Sequence, residues 1–234
     1  FTEKIKEAEL SKLIENITKV VSIKAKKSIV QRVKKVYKSI SKKIVFTEKI
    51  KEAELSKLIE NTQRDINISL MNEIMILCYK TGLSFNEVLR LAKTKWNFLN
   101  FSPGLVGGHC LPVDPYYLSF FAKKSKFKTK VTLAGREINN SMEHFIFNLI
   151  HNKLSKMKNL KTKQILIAGL TYKPNVADLR NSLALKILIK LRKIYKNIVA
   201  FDPIVDDKNA IKLNIKKKYD EFKKSKIIIF LVNH

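Results

Sequence analysis

The segment LVGGHCLPVDPYYL, residues 105–118, holds the residues of this sequence that are best suited to chemistry. Only six glycines occur in 234 residues, and two of them, Gly107 and Gly108, stand directly before His109 and Cys110. Glycine lets the backbone approach another group closely, because no Cβ intervenes. A thiol beside such a backbone is suited to nucleophilic attack. A tight turn with a small, packed cysteine would give the same pattern.

Other side chains could assist this thiol. Asp114 could activate water, or it could simply be the N-cap of a helix in which Pro115 is the first residue. Lys57 and Asn61 are four residues apart in a helical pattern and therefore share a face. There a cation and an amide could stabilise an oxyanion, although a solvated surface is the alternative. His109 is a poor base for its neighbour, because adjacent side chains usually point apart.

The elements that must position these residues are helical in the middle of the chain. An apolar-periodic helix is predicted from the segment 46–61 onward to Gly82, a natural C′ residue. Ser84 and Glu87 form a capping box that opens a short helix. An irregular segment with aromatic residues, proline and glycine follows, and long loops of this kind are often functional. A second long helix is predicted at about 131–157.

From Lys158 the pattern changes to alternating strands and helices. Three segments have the pattern of buried strands: KQILIAGL, NIVAFDP and KIIIFLV. Two segments with a helical pattern lie between them: NSLALKILIKLRKIY and YDEFKKS. This β-α-β-α-β order predicts the opening of a parallel, doubly wound sheet. Ligands of such sheets bind beyond the carboxyl ends of the strands, where GLTYKPNVADLR follows the first strand. The predicted fold class is α/β, with a long-helix α middle domain followed by an incomplete Rossmann-like parallel sheet.

Sixteen residues at the start of the chain are repeated. FTEKIKEAELSKLIEN occupies 1–16 and again 46–61. Only the second copy continues into the long helix, so it is interpreted as the working copy. The first copy is interpreted as a duplication, or as a flaw in how the chain was assembled.

Composition narrows the function classes. The net charge of +27 suggests an anionic partner, but 41 lysines and only six arginines are spread along the whole chain, which favours compositional drift over a nucleic-acid site. No apolar run approaches the ~20 residues of a membrane span. Cys78 falls on an apolar helical stripe and is predicted to pack in the core. Metal-site motifs such as C-x-x-C are absent, so no metal is expected. A cytoplasmic protein without a membrane partner is predicted.

Four segments resemble the nucleotide-sugar 6-dehydrogenase family of the UDP-glucose and UDP-mannuronate type: ELSKLIENTQRDINISLMNEI, TKWNFLNFSPGLVGGHCLPVDPYYL, AGREIN and GLTYKPNVADLRNSLALKIL. The resemblance is closest to enzymes acting on UDP-N-acetyl-glucosamine and UDP-N-acetyl-galactosamine in surface-polysaccharide synthesis. It implies an NAD-binding Rossmann domain, a long-helix domain that dimerises, and a UDP-binding domain. The chain is thus divided into a duplicated segment (1–16), the end of the NAD domain (17–45), the helical middle (46–157) and the start of the UDP domain (158–234).

The resemblance also implies roles for individual residues. Cys110 would attack the C6 aldehyde of the sugar, Lys57 and Asn61 would hold the C6 oxygen, and Asp114 would position or activate water. Arg180 would contact NAD, of which two molecules are used per sugar. The remaining predicted residues would bind the sugar nucleotide: Leu99, Asn100, Phe101, Ser102, Pro103, Gly107, Lys173 and, lent across a homodimer, Lys95.

The sequence departs from this family in one respect. No G-x-G-x-x-G occurs in it, so no glycine-rich turn is present to hold the pyrophosphate of NAD. The prediction is therefore a UDP-N-acetylhexosamine 6-dehydrogenase lacking most of its NAD domain and inactive as an isolated chain. A non-catalytic remnant that dimerises or binds UDP-sugar, and a basic nucleic-acid-binding protein, are the alternatives.

Overall fold

The computed structural model describes residues 18–234. The first copy of the repeat and the interpretation given to it lie outside these residues. Contacts divide the chain into two compact units, with the boundary between Glu60 and Asn61.

The first unit contains a β-α-β element. Strand β1 (Lys19–Ser22) leads into helix α1 (Lys27–Lys38) and then strand β2 (Ile44–Thr47). The two strands pair in parallel through four consecutive residue pairs. A helical crossover between parallel strands is the building block of Rossmann-type sheets.

A 32-residue helix, α2 (Ile50–Thr81), begins in the first unit and continues into the second. It ends as predicted, because Gly82 follows it with a φ of +72°. Helix α3 (Phe85–Ala92) also begins as predicted, since the Ser84 hydroxyl accepts a hydrogen bond from the Glu87 amide. Local capping chemistry therefore sets both boundaries.

Two further helices, α4 (Asp114–Lys124) and α5 (Lys130–Ser155), follow the irregular segment 93–113. The prediction that Asp114 is the N-cap of α4 is wrong. Val113 occupies that position, and no side chain caps the helix. The carboxylate of Asp114 bonds to Asn61 on α2 instead.

The C-terminal part of the second unit is a four-stranded parallel sheet, with strand order β5-β4-β3-β6. Its elements, after a short 3-10 turn at Leu160–Thr162, are β3 (Ile165–Ala168), α6 (Leu183–Ile194), β4 (Ile198–Phe201), α7 (Asp207–Leu213), β5 (Ile215–Lys216), α8 (Asp220–Lys224) and β6 (Ile227–Phe230). The sequence predicts five of these seven elements. It misses α7 and β5, because elements of seven and two residues carry little periodic signal.

The core of this part is almost wholly aliphatic. The buried residues of α6 are Leu183, Ala184, Ile187, Leu188 and Leu191. Three of them, Ile187, Leu188 and Leu191, join β3, β4 and the C-terminal end of α5 in one hydrophobic cluster. Within residues 18–234, no helix is long and apolar enough to cross a membrane.

Candidate functional site

A cavity of about 490 Å³ in the second unit brings together six of the predicted site residues, which are Asn61, Ser102, Pro103, Gly107, Cys110 and Lys173. Its remaining lining is Arg64, Ile68, Gly104, Leu105, Val106, Leu111, Tyr172 and Pro174. These residues come from α2, the segment before α4 and the loop after β3. The cavity is therefore built where the helical middle of the chain approaches the parallel sheet.

Cys110 lies on a turn that leads into α4. Its carbonyl accepts hydrogen bonds from the amides of Val113, at 3.0 Å, and Asp114, at 2.8 Å. Its side chain is exposed, whereas Cys78 is 3% exposed on α2, which confirms the prediction that Cys78 packs in the core. Of the two thiols, only that of Cys110 is open to a reagent or a substrate.

Asn61 and Asp114 form a partly buried hydrogen-bonded pair between α2 and the start of α4. The side-chain amide of Asn61 donates to the carboxylate of Asp114 at 2.5 Å, and Asn61 is only 3% exposed. The bond fixes the start of α4, and hence the turn that carries Cys110, against α2. Asp114 does not line the cavity itself but is bonded to Asn61, which does.

The two glycines before the thiol, Gly107 and Gly108, pack closely against the loop that follows β3. A Cβ on Gly107 would lie 2.6 Å from the Asn181 carbonyl oxygen and 2.8 Å from the Tyr172 Cβ. A Cβ on Gly108 would lie 2.7 Å from the Tyr172 ring, and the φ of Gly108 is +85°. The Asn181 amide also donates to the Gly108 carbonyl at 3.0 Å. The sequence predicts that another group lies close to these glycines. In the structure that group is the Asn181 backbone together with the Tyr172 side chain.

A buried carboxylate holds the loop that carries Lys173. Asp202, at the end of β4, is fully buried and accepts from the amides of Leu170, at 2.7 Å, and Thr171, at 3.3 Å. The Thr171 hydroxyl donates in turn to the Lys173 carbonyl. Lys173 therefore reaches the cavity from beyond the carboxyl end of β3, where the doubly wound pattern predicts ligand binding.

The same loop contains an ion pair at its exposed side. The guanidinium of Arg180 donates to both carboxylate oxygens of Asp178, at 2.7–3.0 Å. These bonds hold the pKa of Asp178 below its ordinary value. His109 lies 3.9 Å from the same carboxylate, so its ring is directed at Asp178.

A buried polar network holds another wall of the cavity. The Asn72 side chain accepts from the Gly104 amide at 2.9 Å and donates to the Gly104 carbonyl at 3.1 Å. Asn72 also donates to Asn139 at 2.8 Å, and Asn139 donates to Asp65 at 2.8 Å. Arg136 closes the network with a 2.6 Å bond to Asp65. Burial raises the pKa of Asp65, and the charge of Arg136 opposes that shift.

Several predicted residues lie elsewhere. Lys95, Leu99 and Phe101 line a separate cavity of about 380 Å³ beside α2 and α3. Asn100 is exposed and lines neither cavity. Lys57 belongs to the first unit, where its ammonium pairs with Glu60 at 2.8 Å. The structure thus brings six of the predicted residues together on one cavity, and the roles of all the predicted residues stay predictions.

Sequence reasoning missed three residues that shape the cavity, which are Arg64, Asn72 and Tyr172. Arg64 follows Asn61 by three residues on α2, so helical spacing alone could have placed it on the same face. Nothing local marks Asn72, because its partner Gly104 is 32 residues away.

No described residues fit the pyrophosphate of NAD. Such a site needs backbone N–H groups in a glycine-rich turn at a helix N-terminus. The connection from β1 to α1 is IKAK, residues 23–26, which has no glycine. Within residues 18–234, no group of three or more His, Cys, Asp or Glu side chains could hold a metal ion.

Known proteins provide an independent comparison. Protein CapL of Staphylococcus aureus is 40% identical over 169 residues, which are 71% of this chain and 40% of that protein. UDP-N-acetyl-D-glucosamine 6-dehydrogenase of Pseudomonas aeruginosa is 38% identical over 144 residues, or 61% of this chain and 34% of that protein. The structure of UDP-D-ManNAc dehydrogenase from Pyrococcus horikoshii matches with a TM-score of 0.76 and 31% identity, covering 95% of this chain and 51% of that one.

The chain spans about half, or less, of the length of these relatives. Residues 51–141 match the central domain of the UDP-glucose/GDP-mannose dehydrogenase family. Residues 166–234 match the UDP-binding domain of the same family. The chain therefore belongs to the UDP-glucose/GDP-mannose dehydrogenase family and carries its central and UDP-binding domains.

Proposed function

We propose that this chain is the substrate-binding and covalent-catalysis part of a UDP-N-acetylhexosamine 6-dehydrogenase, a cytoplasmic enzyme of surface-polysaccharide synthesis. The observation that supports it best is the exposed thiol of Cys110 on a cavity that Lys173 and Arg64 also line. A nucleotide diphosphate carries negative charge, which these two cations can balance. The names of the relatives support a UDP-N-acetylhexosamine as the sugar nucleotide.

The thiol would act on C6 of the sugar after its oxidation to an aldehyde. The sulfur of Cys110 adds to the carbonyl carbon, an S–C bond forms, and the carbonyl oxygen gains negative charge. Asn61 can donate to this oxygen, because its amide has two hydrogens and Asp114 takes only one. Lys57 is proposed as the second group that holds the oxygen. Stabilisation of a developing charge in this way often contributes more to catalysis than any other single effect.

Oxidation of this adduct gives a thioester, and water then breaks the C–S bond to release the uronate and the free thiol. Asp114 is proposed to position or activate that water. Removal of the electrons needs an acceptor; NAD is the proposed cofactor that would supply this chemistry, and Arg180 is the one residue proposed to contact it. Because the described residues do not fit its pyrophosphate, we assign no further residue to NAD. We also propose a homodimer formed through the helices of 46–157.

The first experiment measures the rate at which the Cys110 thiol is alkylated. We expect iodoacetamide to label Cys110 and to leave Cys78 unlabelled, because only Cys110 is exposed. UDP-N-acetylglucosamine or UDP-N-acetylgalactosamine should slow the labelling of Cys110, as read by peptide mapping. Lys173→Ala should remove this protection. Lys186→Ala is the matched control, because Lys186 is an exposed lysine of α6 outside the cavity, and it should keep the protection.

Labelling of Cys110 that neither UDP-sugar slows would contradict a substrate site at this cavity.

Turnover is a separate test. The purified chain alone is expected to form no NADH with either UDP-sugar, because positioning of the reacting groups contributes about 7–11 kcal/mol to such barriers and the phosphate-binding turn is missing. NADH formation that depends on Cys110 would show that this expectation is wrong.

A further inference from the structure

The segment 102–107 forms one wall of the cavity without regular secondary structure. Something must hold it, because an irregular backbone otherwise samples several conformations. The side chain of Asn72 makes two hydrogen bonds to the backbone of this segment, both of them to Gly104.

The geometry of this contact is specific. The carbonyl oxygen of the Asn72 side chain accepts from the Gly104 N–H, while its NH₂ group donates to the Gly104 C=O. The side-chain amide thus pairs with both polar groups of one residue, as a neighbouring strand would. Gly104 itself is not required for space, since a Cβ there would meet no atom within 4 Å. The constraint on the Gly104 part of this wall therefore lies in the side chain of Asn72.

Asn72 is itself held rigidly. It is fully buried, and its remaining amide hydrogen goes to Asn139, which is also fully buried. Asn139 donates to both the backbone carbonyl and the carboxylate of Asp65, and Arg136 pairs with that carboxylate. Buried polar groups with such partners are costly to displace, so the amide of Asn72 has one orientation.

We propose that Asn72 is a positioning residue that sets the wall 102–107 for the sugar nucleotide, through the network of Asn139, Asp65 and Arg136. The ligand in this proposal rests on the proposed function, whereas the positioning of the wall does not. Loss of the Asn72 side chain would leave the thiol of Cys110 in place. It would free the Gly104 peptide and weaken the fit of the UDP-sugar to the cavity.

The experiment is amide hydrogen exchange at Gly104, followed by NMR in the full chain. In the unchanged protein the Gly104 amide should exchange slowly, although it lies in an irregular segment. Asn72→Ala should speed this exchange at least about tenfold, as expected when a bond worth about 1.4 kcal/mol is removed. It should also weaken UDP-N-acetylglucosamine binding by about the same factor.

Met142→Ala is the matched control. Met142 is a buried residue of α5 that does not line the cavity, so its truncation lowers overall stability without changing the wall. In this variant, local exchange at Gly104 and the dissociation constant should stay within about twofold of the unchanged protein, provided both are measured well below the unfolding midpoint.

The outcomes separate the two proposals. Fast Gly104 exchange in the unchanged protein would overturn the positioning role, whether or not Asn72→Ala folds. Gly104 exchange that stays slow in a folded Asn72→Ala variant would overturn it as well. Equal weakening of binding by Met142→Ala would overturn it as well. Slow Gly104 exchange that depends on Asn72, without any UDP-sugar binding, would support the positioning role and contradict the proposed function.

Discussion

The molecule buries two kinds of surface, and they differ in composition. Of the seven buried residues of α2, five are polar, namely Asn61, Thr62, Asp65, Ser69 and Asn72. All five buried residues of α6 are apolar. Apolar packing depends mainly on volume, whereas hydrogen bonds fix direction. The comparison teaches that the helices bordering the cavity use burial to orient groups, and that α6 uses it to stabilise the sheet.

The buried polar groups that orient the cavity wall lower the stability of the folded state. Asp65 Oδ2 and Arg136 Nε are buried and have no hydrogen-bond partner in the part of the chain that the structure describes. Desolvation of such groups opposes folding. The network is therefore better explained by the loop it holds than by a gain in stability.

The largest expected effect follows from Asp65→Ala, which breaks the network at its centre. It should lower the free energy of unfolding by about 3–5 kcal/mol, because the guanidinium of Arg136 is left buried without its charge partner. Urea denaturation measures this loss. The double variant Asp65→Leu, Arg136→Met should regain much of the stability, since it removes both charges. A double variant as unstable as Asp65→Ala would contradict this account.

A smaller effect is expected from Ile187→Val in the apolar region. Ile187 is fully buried in α6, and removal of one methylene should cost about 0.5–1.5 kcal/mol. The alkylation rate of Cys110 should not change, because volume in this core does not orient the cavity. Urea denaturation and iodoacetamide labelling measure the two quantities on the same sample. A changed labelling rate would show that the two regions are not separable in this way.

The smallest expected effect is a pH dependence at the edge of the cavity. Bonds from Arg180 lower the pKa of Asp178 in the folded state. An unfolded Asp titrates near ~3.9, so the stabilising contribution is complete above that pH and is lost as the pH falls through the lower folded-state value. The urea midpoint of the unchanged protein should exceed that of Asp178→Asn at pH 6. This difference should shrink below about pH 4. A difference that grows on acidification would contradict the assigned direction.

Local signals explain what could be predicted from the sequence. The helix ends at Gly82 and Ser84 follow from capping chemistry within a few residues, and the strands of the sheet follow from short apolar runs. Motifs identify the thiol, Asn61 and Lys173. They do not identify Asn72 and Asn139, because the roles of these two depend on partners 32 and 67 residues away. Leu99 and Phe101 line a separate cavity from that of Cys110, since spacing cannot fix the path of an irregular segment, and their predicted roles stay predictions.

The contact of Gly107 and Gly108 with Tyr172 and Asn181 has a consequence for recombination between relatives. The glycines belong to the matched central-domain side of the chain, and their partners belong to the UDP-binding domain. A chimera joined near residue 158 would take the two halves of this contact from different parents. A parent with a side chain in place of Gly107 would then meet the carbonyl of Asn181 at 2.6 Å. Functional chimeras of this family should therefore exchange the segment 105–110 together with the loop 170–182 as a single cassette.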